Sequence, residues 1–133
     1  MLKTLKMTVI AAVMAGGSWA QDLGIQNTIR GQIEAFKVDD FDAAFAFASP
    51  NIQRIFGSVA RFQQMVTTGY PMVWRPSDVR YLEQEEIAGD IWQKVLIKDQ
   101  DGVTHILGYR MLETEDGWKI NGVQLLPQPD VNA

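Results

Sequence analysis

The sequence predicts an α+β domain in which three to four N-terminal helices cover one face of a curled antiparallel sheet of about four strands. Three observations carry this. Before Arg75-Pro76 the apolar residues recur at steps of three and four, the period of a helix buried on one side. After it they alternate, the period of a strand buried on one face. Asp99-Gln100-Asp101-Gly102 and Thr114-Glu115-Asp116-Gly117 each end on a glycine, which supplies the positive φ of a tight hairpin. Helices followed by a strand meander is the order of an α+β layer arrangement.

Residues 1–20 read as an export signal rather than as part of the fold. Lys3 and Lys6 form a positive end, Met7 to Ala15 an apolar stretch, and Ser18-Trp19-Ala20 a small-residue site for cleavage after Ala20. The stretch is too short to cross a bilayer about 30 Å thick. The expected product is a single domain over residues 21–133, periplasmic, delivered by the general export route and without a membrane span.

Within it, Ile25, Ile29, Ile33 and Phe36 share one helical stripe, which Gly31 weakens slightly. Asp39 and Asp40 offer a cap for a second helix with Phe41, Ala44, Phe45 and Ala48 on its inner side. Ser49-Pro50 is an N-cap followed by proline at the first helical position, opening a short helix that ends at Gly57. Ser58 caps the next helix, which buries Val59, Phe62, Met65 and Val66 and stops at Gly69-Tyr70-Pro71. Strands are expected at about Val79–Glu86, Ile91–Lys98, Val103–Leu112 and Trp118–Leu126. A type I turn with a glycine bulge in the first hairpin pairs Ile97 with His105, Val95 with Leu107, Gln93 with Tyr109 and Ile91 with Met111, which stacks the apolar sets on one face. The second hairpin allows two registers. One sets Asn121 and Val123 beside Tyr109 and Met111; the other sets Ile120, Gly122 and Gln124 there.

The element order, together with Asp116-Gly117-Trp118-Lys119-Ile120-Asn121-Gly122-Val123, resembles the nuclear transport factor 2-like superfamily, which includes ketosteroid-isomerase-like and polyketide-cyclase-like proteins. More narrowly, the chain is similar to an exported bacterial family called domain of unknown function 4864. The similarity runs through Phe47-Ala48-Ser49-Pro50, Phe62-Gln63-Gln64-Met65-Val66, Gly69-Tyr70-Pro71 and Gly108-Tyr109-Arg110-Met111. The resemblance implies a cystatin-like α+β roll with a cone-shaped sheet and a helix-lidded pocket. It brings no established activity, so no catalytic residue comes with it.

Composition narrows the chemistry. The 133 residues carry 12 basic and 16 acidic side chains, a formal charge of −4, and loss of Lys3 and Lys6 with the leader makes the remainder more acidic still. Nucleic acid is excluded as a partner, because the basic residues are scattered and form no stripe. With no cysteine and one histidine, thiolate zinc sites and most transition-metal sites are excluded, and no cofactor is expected. Gly57-Ser58-Val59-Ala60 lacks the last glycine of a nucleophile elbow. Asp99-Gln100-Asp101-Gly102 lacks the remaining ligands of a calcium loop.

What remains is a pocket and a sheet face. Alternation aims Gln93, His105 and Tyr109 inward, with Tyr81 on the edge strand, and these four are the expected ligand-binding residues. Glu83, Glu85, Glu86 and Asp90 read as a solvated acidic edge that discourages strand addition. On the opposite face Trp92, Leu96, Ile106 and Leu112 interleave with Lys94, Lys98, Thr104 and Arg110, more apolar than a solvated face would be. That face is expected to form a homodimer or partner interface anchored on Trp92, unless Leu126-Pro127-Gln128-Pro129 or the Arg75-Pro76 loop covers it. The expectation is an exported non-catalytic domain that binds a small apolar or amphipathic ligand, or a protein partner. The alternative is a small acid-base pocket enzyme of isomerase, dehydratase or hydrolase type.

Overall fold

In a computed structural model of the chain, the structure describes residues 21–128. The expected export signal lies outside them. Among the described residues the fold is α+β: five helices, then a four-stranded antiparallel curved sheet in the order β1-β2-β3-β4. Helix α1 occupies residues 21–37, followed by α2 (Phe41–Ala46), α3 (Pro50–Phe56), α4 (Val59–Gly69) and α5 (Pro71–Trp74). The strands are β1 (Asp78–Ile87), β2 (Asp90–Lys98), β3 (Thr104–Thr114) and β4 (Gly117–Leu126). Among the described residues no helix is long and apolar enough to cross a membrane.

Local chemistry sets the helix boundaries. The side chains of Asp40, Ser49 and Ser58 accept from the backbone N–H of Ala43, Ile52 and Arg61, each satisfying a donor that a helix start leaves free. Gly57 ends α3 at φ 78°, a left-handed position that suits glycine. The structure departs from the sequence reading at Pro71, which not only stops α4 but opens α5, since a proline at the first turn loses no helical hydrogen bond. Asp39 is held at φ 58° rather than serving as a cap.

The first hairpin has the predicted register, with Ile97 opposite His105 and Gln93 opposite Tyr109. The second adopts parts of both alternatives: Tyr109 faces Val123 and Met111 faces Ile120, because β4 shifts by one residue between them. This bulge lets two apolar residues of opposite parity, Ile120 and Val123, both pack against the core. The displaced Asn121 accepts a 2.7 Å hydrogen bond from Ser49 Oγ. Beside it the segment around Ala48 runs parallel to β4, with Ser49 N–H donating to Ile120 O at 2.8 Å and Ile120 N–H to Phe47 O at 2.9 Å.

The core lies between α1 and the inner sheet face, where Ile25, Ile29, Ile33 and Phe36 meet Val95, Ile97, Leu107 and Tyr109. Thr28 fastens α1 to the sheet through a 3.0 Å hydrogen bond to Trp118 O. Gly31 has a packing reason: a Cβ there would fall 2.6 Å from the Phe47 ring.

Candidate functional site

A half-open hollow indents the core. Between α3, α4 and the β3–β4 ribbon lies a chamber of about 310 Å³. Phe62, Met65 and Val66 face it from α4 because they share one helical stripe, and Ile52 and Phe56 close it from α3. Ile120, Gly122 and Val123 form the sheet wall, with Tyr109 beside them. Phe62 is braced by Phe36, Phe45 and Phe56 at ring-centroid distances of 5.9, 5.1 and 5.8 Å.

No wall residue is charged; Gln32, Tyr70 and Tyr109 are the polar ones. The Gln32 amide donates to Ala44 O at 3.1 Å, and the Tyr70 hydroxyl lies 3.4 Å from Val123 O. Tyr109 differs. Its side chain is 1% exposed, and its buried hydroxyl has no hydrogen-bond partner among the described residues. Burial, with smaller contributions from Tyr81 and Tyr70, pushes its hydroxyl well above the ordinary tyrosine range, so it stays protonated at neutral pH.

The four expected ligand residues are not brought together. Tyr109 borders the chamber. Gln93 is fully buried away from its wall: the amide donates to Leu82 O and Lys94 O, both at 2.8 Å, and accepts from Gln84 Nε2 at 2.9 Å. It thereby fills the gap where β1 slips register between Tyr81 and Gln84. Tyr81 lies under the Arg30 guanidinium, 5.5 Å from ring centroid to Cζ, in a separate shallow hollow. The expectation that His105 and Tyr109 share one cavity is corrected. His105 sits near the open end of the sheet, its Nε2 2.9 Å from Asp99 Oδ2, beside Trp74 and Arg75. Hydrogen bonding to His105, then to Val103 N–H, holds the Asp99 carboxyl below its usual range.

The outer face carries a groove of about 630 Å³ containing Trp92, Ile106, Leu126 and Pro127. Lys94 crosses it, 2.6 Å from Glu85 and 3.4 Å from Glu83, so these two carboxylates are ion-paired. Leu96 lies opposite Ile106 in register, and Leu112 is exposed at the far end of β3. Leu126 and Pro127 border the groove, and the Gln128 amide donates to Thr104 O.

The helical wall was missed by sequence reasoning, since an apolar stripe such as Phe62, Met65 and Val66 reads equally as filled core. A second feature, at Asp39, carried no sequence signal. Its carboxylate accepts from Trp74 Nε1 and Arg75 Nη2, each at 2.8 Å, while Arg75 stacks 4.4 Å over the Trp74 ring. The chain matches a family model described as Domain of unknown function (DUF4864) over residues 19–133. No curated protein and no solved structure matches it.

Proposed function

The chain belongs to the DUF4864 family, and within it we propose a non-catalytic domain that binds one small apolar or amphipathic ligand in the chamber between α3, α4 and β4. The observation that carries this is the chamber itself: an uncharged, half-open hollow of about 310 Å³, lined by six or more apolar side chains in a chain of this size. Concave, mostly apolar hollows with a few polar groups are the usual form of small-molecule sites. A curved sheet closed by helices also supports a nuclear transport factor 2-like assignment, with the sheet as the cone and α3 and α4 as its lid. The export signal read in residues 1–20 makes the periplasm the place of action.

Binding is favoured over acid-base catalysis by the wall chemistry. A general base must reach its substrate, and the wall offers phenols and an amide rather than carboxylate or imidazole. The test is titration of residues 21–133 with N-phenyl-1-naphthylamine, a neutral dye that brightens in apolar surroundings. One saturable site is expected, lost in Val123→Phe, which fills the chamber from β4 while the fold is retained. Absence of saturable binding to the parent chain would refute the reading.

A second reading rests on the outer face, where Trp92, Ile106 and Leu126 expose apolar surface flanked by Lys94 and its paired carboxylates. Two copies related by a two-fold axis would each supply both the apolar centre and the mixed-charge rim. Light scattering at tens of micromolar checks it: a dimer is expected, and a monomer throughout removes the idea.

A further inference from the structure

Resting on the binding reading above, we propose that the amphipathic ligand is an extended peptide, which adds as a strand to the free edge of β4 at Val123 and Leu125 and lays one apolar side chain in the hollow. β4 is an outer strand of the sheet, and its free edge is used only in part. Ile120 turns its N–H to Phe47 O and its carbonyl to Ser49 N–H, so a strand-like segment of the chain itself lies against the edge there. Val123 also turns its carbonyl away from β3, toward the Tyr70 hydroxyl 3.4 Å away. A strand residue presents N–H and C=O to one side and its neighbour presents them to the other, so Val123 and Leu125 both direct these groups outward. Among the described residues, only the long contact from Tyr70 reaches them from beyond the sheet.

Open edges are usually guarded by charge, proline or a bulge. β1 is guarded: Glu83, Glu85 and Glu86 are exposed on it, and it slips register after Tyr81. From Gly122 to Leu126, β4 has no charge, no proline and no register shift. The hollow opens beside this stretch. Of its lining, Phe36, Phe62 and Ile120 are buried and form the floor, whereas Ile52, Phe56, Met65 and Val123 are half-buried, which puts the mouth between α3, α4 and the β4 edge. Leu125, 48% exposed, carries the apolar surface past the mouth. Outward N–H and C=O groups at strand spacing are matched by another polypeptide backbone, and every second side chain of that backbone then points to the inner face. With no charge on the wall, the side chain that enters must be apolar.

The probe is acetyl-Lys-Thr-Leu-Thr-Val-Thr-Lys-amide, competed against N-phenyl-1-naphthylamine on residues 21–133. Two analogues carry N-methyl groups on alternate residues, one on leucine and valine, the other on the threonines that follow them. Alternate amides of a strand face opposite sides, so one analogue should compete about tenfold more weakly than the probe and the other within about twofold of it. Leu125→Pro removes an outward N–H, which an edge strand tolerates, and leaves the wall of the hollow intact; it should keep its dye affinity and lose about tenfold in affinity for the probe. The analogues decide the matter on the parent chain if that variant does not fold. Dye binding without competition, as expected if residues 129–133 or a second copy occupy the edge, would overturn the inference and leave the chamber reading standing. Equal effects of the two analogues would do the same, since they mean side-chain insertion without strand pairing. Binding of neither dye nor probe would overturn both.

Discussion

At the scale of single residues, Ala88 carries left-handed backbone that its side chain does not favour. Ala88 sits at φ 52° before Gly89 at φ 87°, a two-residue turn with both angles positive that joins β1 to β2. An alanine there costs about 1 kcal/mol, which asparagine largely avoids. Ala88→Asn is therefore expected to raise Tm by about 4 °C in calorimetry. This turn was not legible from Ile87-Ala88-Gly89-Asp90, because alanine is a poor marker of left-handed backbone. Tyr109 sets an alkaline limit. Its folded-state proton is held more tightly than in the unfolded chain, so stability is unaffected below about pH 10 and falls as pH rises further. Urea midpoints between pH 9 and 11 should drop less in Tyr109→Phe. Asp39 and Asp99 act at the other end. Hydrogen bonds from Trp74 and from His105 are the largest causes holding their carboxyls low, so the stability they add is present above about pH 4 and is lost as pH falls through the lowered values. Asp39→Asn should flatten part of that acid loss in an acid titration followed by circular dichroism.

At the scale of elements, α3 is the loosest part of the cover. It buries no residue fully, turns on Gly57 at one end, and is fixed at the other by Ser49, which caps the helix and donates to Asn121. Ser49→Ala removes both contacts from a fully buried position and should cost about 1–2 kcal/mol. Hydrogen exchange should then quicken over residues 50–57 more than in α1; uniform quickening would mean the Ser49 contacts hold the whole fold rather than the lid. The elements themselves were largely legible. The first hairpin's register followed from parity alone, since a one-residue slip would turn Val95 and Leu107 outward. The second was not legible, because the bulge at Asn121 serves a contact with Ser49, distant in sequence.

For the molecule as a whole, the layer order could be read from the switch in hydrophobic period, but the chamber could not. Periodicity reports which side chains point inward, not whether they meet, and Phe62, Met65 and Val123 look the same in a filled core as in a hollow one. The same limit applied to Gln93, whose inward parity was right while its role was to mend the β1 bulge. If the outer face pairs two copies, unfolding must be linked to association. Tm should then rise with protein concentration over a hundredfold range, and Trp92→Glu should abolish that rise.

The bridge between Ala48 and Ile120 reaches further than the pocket it borders. Fibril growth requires two flat, open sheet borders per unit, one to receive and one to extend. Here one border is clasped at Ile120 and kinked at Asn121, and the other is kinked after Tyr81 and studded with glutamates. A domain without a single disulfide is in this way guarded against templated stacking by its own backbone geometry.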